Sequence, residues 1–166
     1  MLELQEFSTS RNFNVRKYLV YRAWTDAAEL EQWWGPKAST LKVLKLELRQ
    51  GGLFHFCMKA SDGSESWGKF VFNEVIPGET LSFIASFSDA SGNTVRNPVN
   101  DIWPLEVLNT VLFSEREGNT VLKISGKPLH ATDEECMAFY NASEYLKEEF
   151  DSSFERLEVL LSKTGV

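Results

Sequence analysis

The hydrophobic positions near the end of the chain recur with a helical period. Over Asp133–Lys163 the apolar residues are spaced by seven, four, four, three and four, at Phe139, Leu146, Phe150, Phe154, Leu157 and Leu161. This spacing places them on one face of an amphipathic helix. Thr132 and Glu135 have the spacing of a capping box at its start, and Gly165 is a stop signal at its end. The pattern predicts one long C-terminal helix that needs an apolar partner.

The middle of the chain has the two-residue period of β-strands. Between residues 40 and 126 apolar and polar positions alternate, and short turns separate the alternating runs. Phe54 and Phe56 share one face, while His55 lies on the other face and is expected to point to solvent. Because short turns join antiparallel neighbours, the runs predict an antiparallel sheet of about six or seven strands. The first run predicts a half-buried strand with Leu44, Leu46 and Leu48 on its apolar face.

The residues before the sheet predict a strand followed by two short helices. Glu3–Phe13 is consistent with a first strand, and Asn14 is a good N-cap for a helix over Val15–Trp24. Asp26 can cap a second helix, which Gly35 and Pro36 stop. The chain is expected to form one domain of the α+β class, with an antiparallel sheet and helices collected on one of its faces.

Composition and charge argue against several classes of partner. The net charge is −7 and the chain has no cluster of Lys and Arg, which argues against binding to nucleic acid or to an anionic membrane. No apolar stretch approaches the length of a membrane span, so no membrane insertion is expected. The N-terminus lacks the pattern of a signal peptide, so the expected location is cytoplasmic. Cys57 and Cys136 are expected to be buried free thiols.

Several motifs resemble those of one family. Val15–Asp26, with its Arg-Ala-Trp-Thr-Asp, and Gln32–Lys37, with its Trp-Trp-Gly-Pro-Lys, resemble the opening signature of one group of domains. That group is related to the C-terminal part of the activator of heat-shock protein 90 ATPase and belongs to the START-like, or SRPBCC, superfamily. Arg49–Gly52, Asn73–Pro77 and Leu105–Val111 are similar to further pieces of the family, so the resemblance extends over nearly the whole chain.

The resemblance implies a helix-grip fold with a cavity. In this fold a curved antiparallel sheet wraps the long C-terminal helix, two short helices follow the first strand, and an apolar space lies between sheet and helix. Together with the twelve Phe and five Trp, this points to a small apolar or amphipathic molecule, or a lipid, as ligand. One alternative is a protein-interaction module with a chaperone partner, as the family name suggests. A further alternative is a cyclase-like enzyme, as some superfamily members are.

The candidate ligand-binding residues come from the inner sheet face, the long helix and the tryptophans. Asn109 shares a strand face with Val107 and Val111, so its amide is expected to point inward and to orient a ligand. The alternative is that such polar groups bond to backbone or water at the rim of the sheet. The loop Asp89–Pro104 is the candidate lid, with Trp103 folded back. The candidate cavity residues are Trp34, Phe54, Phe56, Met58, Trp67, Asn109, Tyr140, Glu144 and Phe150.

No motif for catalysis or metal binding is present in the sequence. It has no Gly-rich phosphate loop, no His-Glu-x-x-His, no Cys-x-x-Cys and no Gly-x-Ser-x-Gly. His55 and His130 are the only histidines, and His130 is expected to be a loop residue. We therefore expect no catalytic residue, no metal site and no cofactor, and we favour binding over catalysis.

Overall fold

The computed structural model describes residues 6–164, which form eight strands and four helices. In chain order they are β1 (Phe7–Phe13), α1 (Lys17–Thr25), α2 (Ala27–Trp33), β2 (Thr40–Leu46), β3 (Leu53–Lys59), β4 (Glu65–Ile76), β5 (Thr80–Ser88), β6 (Thr94–Val95), β7 (Glu106–Arg116), β8 (Asn119–Leu129), α3 (Asp133–Asn141) and α4 (Ser143–Thr164). The strands form an antiparallel sheet in the order β1-β8-β7-β5-β4-β3-β2, and the two-residue β6 pairs with β5. The predicted helix-grip architecture is confirmed, with a long C-terminal helix against an open antiparallel sheet.

The C-terminal helix predicted over Asp133–Lys163 is in fact two helices, α3 and α4, which meet at Ala142. The backbone N–H of Ala142 bonds to the carbonyl of Phe139, and Ser143 Oγ donates to the carbonyl of Tyr140 at 2.6 Å. These three-residue bonds interrupt the four-residue ladder of the α-helix. The prediction of one continuous helix was wrong, because the apolar spacing remains in phase across the break.

Two of the three predicted side-chain caps of the helices are confirmed. Thr132 Oγ1 accepts a hydrogen bond from the N–H of Glu135, whose carboxylate accepts from the N–H of Thr132, which is a complete capping box at α3. Asp26 Oδ1 accepts from the N–H of Glu29 at 3.0 Å and caps α2. These caps depend on neighbours within three residues, which explains why sequence reasoning finds them. The predicted stop at Gly165 lies outside the described residues.

The start of α1 differs from the prediction. The helix begins at Lys17 rather than Val15, and no side chain from the preceding residue caps it. The N–H of Lys17 instead donates to Glu115 Oε1 of β7 at 2.8 Å, and Thr120 Oγ1 of β8 donates to the carbonyl of Val15 at 2.7 Å. Glu115 therefore takes the accepting role that the local pattern assigned to Asn14, although it lies 98 residues away. Thr120 holds the chain just before the helix.

A β-bulge interrupts the apolar face predicted for β2. The register against β3 shifts between Val43 and Lys45. Leu41 and Val43 therefore pack on the core before the bulge and Leu46 packs on it after the bulge, whereas Leu44 is exposed. The prediction of a core-facing side chain was right for Leu46 and wrong for Leu44. It was also wrong for Leu48, which is exposed beyond the end of the strand.

His55 lies on the outer face of the sheet, as predicted, but it is buried there. The turn after β5 folds over it, and His55 Nε2 lies 3.2 Å from the carbonyl oxygen of Asp89. The ring of Trp67 packs on the imidazole with centroids 5.6 Å apart. Lys69 Nζ donates to the carbonyl of Gly92 at 2.9 Å and holds the same turn. The expectation of a solvent-facing His55 was wrong, because this contact spans 34 residues of sequence.

The core consists of two clusters of buried side chains. The larger lies between α1, α2, α4 and the sheet, and it contains Trp33, Phe54, Phe83, Phe154 and Leu157. The smaller is built on β1, β7 and α3, and it contains Phe7, Val107 and Phe139. α3 therefore packs on the smaller cluster, whereas α4 packs on both, with Leu146 and Phe150 against the smaller and Phe154 and Leu157 in the larger.

Two further predictions concern the thiols and the membrane. Cys57 and Cys136 are both buried and free, as predicted. Burial and the neighbouring Glu65 raise the pKa of the Cys57 thiol to about 11, which keeps it protonated at neutral pH. Within residues 6–164, no helix combines the length and the apolar character that a membrane crossing requires.

Candidate ligand-binding site

A cavity of about 290 Å³ lies between the inner face of the sheet and the C-terminal helices. Its wall draws on six strands, both C-terminal helices and the segments after α2 and β6. The lining residues are Phe7, Trp34, Phe56, Met58, Ser66, Trp67, Gly68, Phe70, Phe83, Ala85, Ser86, Phe87, Trp103, Pro104, Val107, Asn109, Ile124, Phe139, Leu146 and Phe150. The cavity lies where the larger and smaller clusters meet.

Aromatic rings that support one another form much of this wall. Phe70 and Phe83 stack with ring centroids 4.0 Å apart, and Trp34 packs edge-on against Phe70 at 5.6 Å. Phe150 of α4 stacks on Phe7 of β1 at 5.9 Å. Because each ring is held by another, the wall is shaped before a ligand arrives, which lowers the cost of binding.

Six of the nine candidate residues line this cavity: Trp34, Phe56, Met58, Trp67, Asn109 and Phe150. Trp33 is fully buried and its indole N–H donates to the carbonyl of Ala23 at 2.8 Å, which leaves its neighbour Trp34 to form part of the wall. Trp67 is a special case, because its ring packs on His55 at the outer face of the sheet. It borders the cavity without turning its ring inward.

The structure places the other three candidates outside the wall. Phe54 is 1% exposed and belongs to the larger core cluster. Glu144 is exposed on the first turn of α4. Tyr140 packs at the side of the smaller cluster, where burial raises its pKa, and its hydroxyl has no hydrogen-bond partner among the described residues.

Several wall residues were not among the candidates. Phe83, Ala85 and Phe87 alternate along β5, and Leu146 lies on the apolar helix face, so the period of the sequence contains a signal for them. Phe7 has no such signal, because it reaches the cavity only through the pairing of β1 with β8.

Two glycines on the inner face make room for larger side chains. A Cβ atom at Gly68 would lie 2.8 Å from the ring of Phe56, and one at Gly126 would lie 2.9 Å from Asn109 Oδ1. Asn109 and Gly126 are directly paired across β7 and β8. The absence of a side chain at Gly126 therefore lets the amide of Asn109 lie over the sheet and face the cavity.

Arg156 of α4 holds the segment that carries Trp34. Its Nη1 donates to the carbonyls of Trp34, Gly35 and Pro36 at 3.4, 3.0 and 3.2 Å, and its Nη2 donates to that of Gln32 at 3.2 Å. A guanidinium matches this set because it offers several donors in a fixed plane. Desolvation lowers the pKa of Arg156, which nonetheless remains a cation at neutral pH.

Arg156→Met is expected to lower the free energy of unfolding by about 2 kcal/mol, because four carbonyls lose a charged donor. Urea denaturation followed by circular dichroism measures the change. Arg156→Lys is the matched control. Its free energy of unfolding should lie between those of Arg156→Met and the unsubstituted protein, since Lys keeps the charge but not the planar donors. Equal stability of all three proteins would contradict this account of the segment.

The loop between β5 and β7 closes one side of the cavity. Trp103 packs on Phe139 with ring centroids 5.5 Å apart and lines the cavity, as expected of the residue that folds back. Arg96 Nη1 donates to the carbonyl of Trp103 at 3.3 Å and also forms an ion pair with Glu135 of α3. Arg96 and Glu135 therefore act as a latch between the loop and the first turn of α3.

The latch is expected to weaken in acid. The N–H of Thr132 and then Arg96 hold the pKa of Glu135 below its ordinary value of 4.5. A carboxylate with a lowered folded-state pKa stabilises the fold above its unfolded pKa, and this stabilisation is lost as the pH falls through the folded-state pKa. Glu135→Gln should therefore lower the free energy of unfolding by about 1 kcal/mol at pH 7, and by less below about pH 4.

Urea denaturation at a series of pH values measures this effect. Glu134→Gln is the matched control, since it removes an exposed carboxylate from the same turn outside the latch. A difference between Glu135→Gln and the unsubstituted protein that stays constant from neutral to acid pH would contradict the role of the Glu135 charge in the latch and in the capping box.

Solved structures of several other proteins closely resemble this fold. A protein from Mycobacterium smegmatis has a crystal structure with a TM-score of 0.77 at 23% identity, over 95% of this chain and 91% of that one. A solution structure from Arthrobacter aurescens has a TM-score of 0.79 at 25% identity, over 96% and 87%. A crystal structure from Chromobacterium violaceum has a TM-score of 0.74 at 20% identity, over 93% and 96%. No match was found among curated proteins.

Residues 14–162 match the family described as "Activator of Hsp90 ATPase homolog 1-like protein". The match includes the Arg-Ala-Trp-Thr-Asp and Trp-Trp-Gly-Pro-Lys motifs, strands β2 to β8, and nearly all of α4. The chain therefore belongs to the family of Activator of Hsp90 ATPase homolog 1-like proteins.

Proposed function

We propose that the protein binds a small apolar or amphipathic molecule in the cavity between the sheet and the C-terminal helices. The observation that carries this proposal is the cavity itself, with its volume of about 290 Å³ and its largely aromatic wall. Apolar surface that faces water loses the stabilisation of burial, and an apolar ligand restores it at roughly 25 cal/mol per Å². A preformed concave apolar site with a few polar groups is the common form of a small-molecule site.

The residues proposed to contact the ligand come from three sides. Phe56 and Met58 of β3 form the floor, and Trp34 and Phe150 form the helical side. Asn109 supplies a polar group within the sheet, which suits a ligand with one polar end. The latched loop with Trp103 supplies a removable side, which suits a ligand that enters and leaves.

A thermal-shift screen of lipids and aromatic compounds tests the proposal. A ligand that binds only the folded protein raises the melting temperature with its concentration. Nuclear magnetic resonance titration of the hits should then shift the amides around the cavity, and Asn109 and Phe150 above all. If no apolar compound raises the melting temperature, or if the hits shift only residues remote from the cavity, the proposal fails.

The family description favours a second candidate function, which is interaction with an Hsp90-type chaperone. The support is the match over residues 14–162, since the description names an activator of the Hsp90 ATPase. A pull-down and an ATPase assay with the chaperone of the same organism test it. Stimulation of ATP hydrolysis would support this function, and a flat response without binding would remove it.

The cyclase-like alternative receives less support from the cavity wall. General acid–base catalysis needs an ionisable group in reach of the reacting atoms. None of the wall residues within 6–164 is a His, Asp, Glu, Lys or Arg. Glu144, a candidate from the sequence, is exposed on α4. We therefore retain binding as the first proposal.

A further inference from the structure

The polar groups of the cavity wall restrict which chemical groups a ligand can carry. Among its described residues the wall has no charged side chain, and its amide and hydroxyl side chains belong to Ser66, Ser86 and Asn109. Ser66 is exposed near the start of β4, and Ser86 pairs with Lys69 on the outer face of the sheet. Within the described wall, Asn109 thus supplies the amide that faces the interior.

The amide of Asn109 keeps hydrogen-bonding capacity for a ligand. Its Nδ2 donates to the carbonyl of Val107 on the same strand, at 3.4 Å. Rotating the amide by half a turn would place Oδ1 against that carbonyl, so the contact favours the observed orientation. Among residues 6–164 no donor bonds to Oδ1, and Nδ2 retains a second N–H. Gly126 beside it carries no side chain that could cover either atom.

An anion would find no cation among the described residues of the cavity wall. A carboxylate or phosphate that leaves water loses its hydration, and the described wall has no cation to replace it. A carboxylate oxygen would also be repelled by Asn109 Oδ1. A hydroxyl or an amide N–H, in contrast, can donate to Oδ1, and its oxygen can accept from the free N–H of Nδ2.

We propose that the cavity selects an uncharged, mainly apolar molecule with one hydroxyl or amide group, which Asn109 binds, and that it discriminates against carboxylates of the same shape. This inference rests on the proposed function, because it specifies the ligand of the same cavity. Asn109 is then a specificity-determining residue rather than a structural one.

Three two-ring compounds of similar shape test the selection at pH 7: naphthalene, 2-naphthol and 2-naphthoate. Their affinities are measured by nuclear magnetic resonance titration of the full chain. We expect 2-naphthol to bind at least about tenfold more tightly than 2-naphthoate, which must bury its charge. Asn109→Leu should lower the affinity for 2-naphthol about tenfold and leave the affinity for naphthalene unchanged, because only the hydroxyl loses its partner.

Thr110→Val is the matched control on the same strand. Thr110 pairs with Ser82 on the outer face of the sheet, so its substitution should leave the preference for 2-naphthol over 2-naphthoate unchanged. Asn109→Ala is a second variant, used if Asn109→Leu does not fold. Equal or tighter binding of 2-naphthoate, or a preference for 2-naphthol that survives substitution of Asn109, overturns the inference and leaves the proposed function standing. If none of the three compounds binds and no apolar compound raises the melting temperature in the screen, the proposed function falls together with the inference.

Discussion

Ala85→Phe is expected to abolish ligand binding while the fold is retained. Ala85 lies on the inner face of β5, in register with Phe70 and Val107, and it lines the cavity. A phenyl ring at this position occupies the space that the ligand needs. We expect the affinity for any hit from the screen to fall by about 100-fold or more, equivalent to about 2.7 kcal/mol. Titration calorimetry measures the affinity, and circular dichroism checks the fold.

Ile84→Phe is the matched control for this substitution. It adds a phenyl ring to the adjacent position of the same strand, on the outer face of the sheet. The control should bind ligand as the unsubstituted protein does. Ala85→Leu, with less added volume, should give an intermediate loss. Unchanged affinity in Ala85→Phe would show that the ligand binds elsewhere.

Phe154→Ala is expected to lower the free energy of unfolding by about 4 kcal/mol. Phe154 is 0% exposed and contacts the rings of Phe13, Trp33 and Phe150 in the larger cluster. Truncating a fully buried Phe removes its burial and leaves a void in close-packed surroundings. Urea denaturation gives the change from the midpoint and slope of the transition.

Phe150→Ala, one turn earlier on α4, is the matched comparison. Phe150 is partly exposed and already borders the cavity, so its removal should cost only about 1–2 kcal/mol. The same substitution should weaken ligand binding, whereas Phe154→Ala at a temperature where it is folded should affect binding less. Equal losses of stability at both positions would contradict the assignment of Phe154 to core packing and of Phe150 to the cavity wall.

The elements that short-range signals define could be predicted from the sequence. Thr132 with Glu135, and Asp26 with Glu29, are caps formed within four residues, and both exist in the structure. The alternation along β3 also holds on its inner face, where Phe54 and Phe56 are buried. Period and capping are local properties, so the chain order and the α+β class follow from them, whereas the helix-grip architecture was implied by the family resemblance.

The features set by distant contacts could not be predicted. His55 is buried by a turn that comes 34 residues later, and the accepting role expected of Asn14 is taken by Glu115, 98 residues from the start of α1. The bulge in β2 depends on how the strand pairs with β3 and leaves no trace in the alternation of Leu44 and Leu48. Burial is decided by which segment folds over a face, and periodicity does not contain that information.

The candidate site likewise contains some residues that could be predicted from local patterns and others that could not. Trp34, Phe56, Met58, Asn109 and Phe150 were found because their positions on a strand or helix face aim them at the shared space. Tyr140 and Glu144 were chosen as an aromatic and a polar residue on the first half of the helix, and the structure places both outside the wall, which Phe139 and Leu146 line instead. Whether the wall residues bind a ligand stays a prediction that the substitutions above address.

The break between α3 and α4 at Ala142 has a consequence for local opening of the protein. α3 packs through Phe139 on the smaller cluster, whereas α4 packs through Phe154 and Leu157 on the larger one. Segments that bury little apolar surface open with a fraction of the global unfolding free energy. The backbone amides of α3 should therefore exchange with deuterium faster than those in the second half of α4. A ligand could then enter through subglobal opening of α3 and its latched loop, while the larger cluster remains folded.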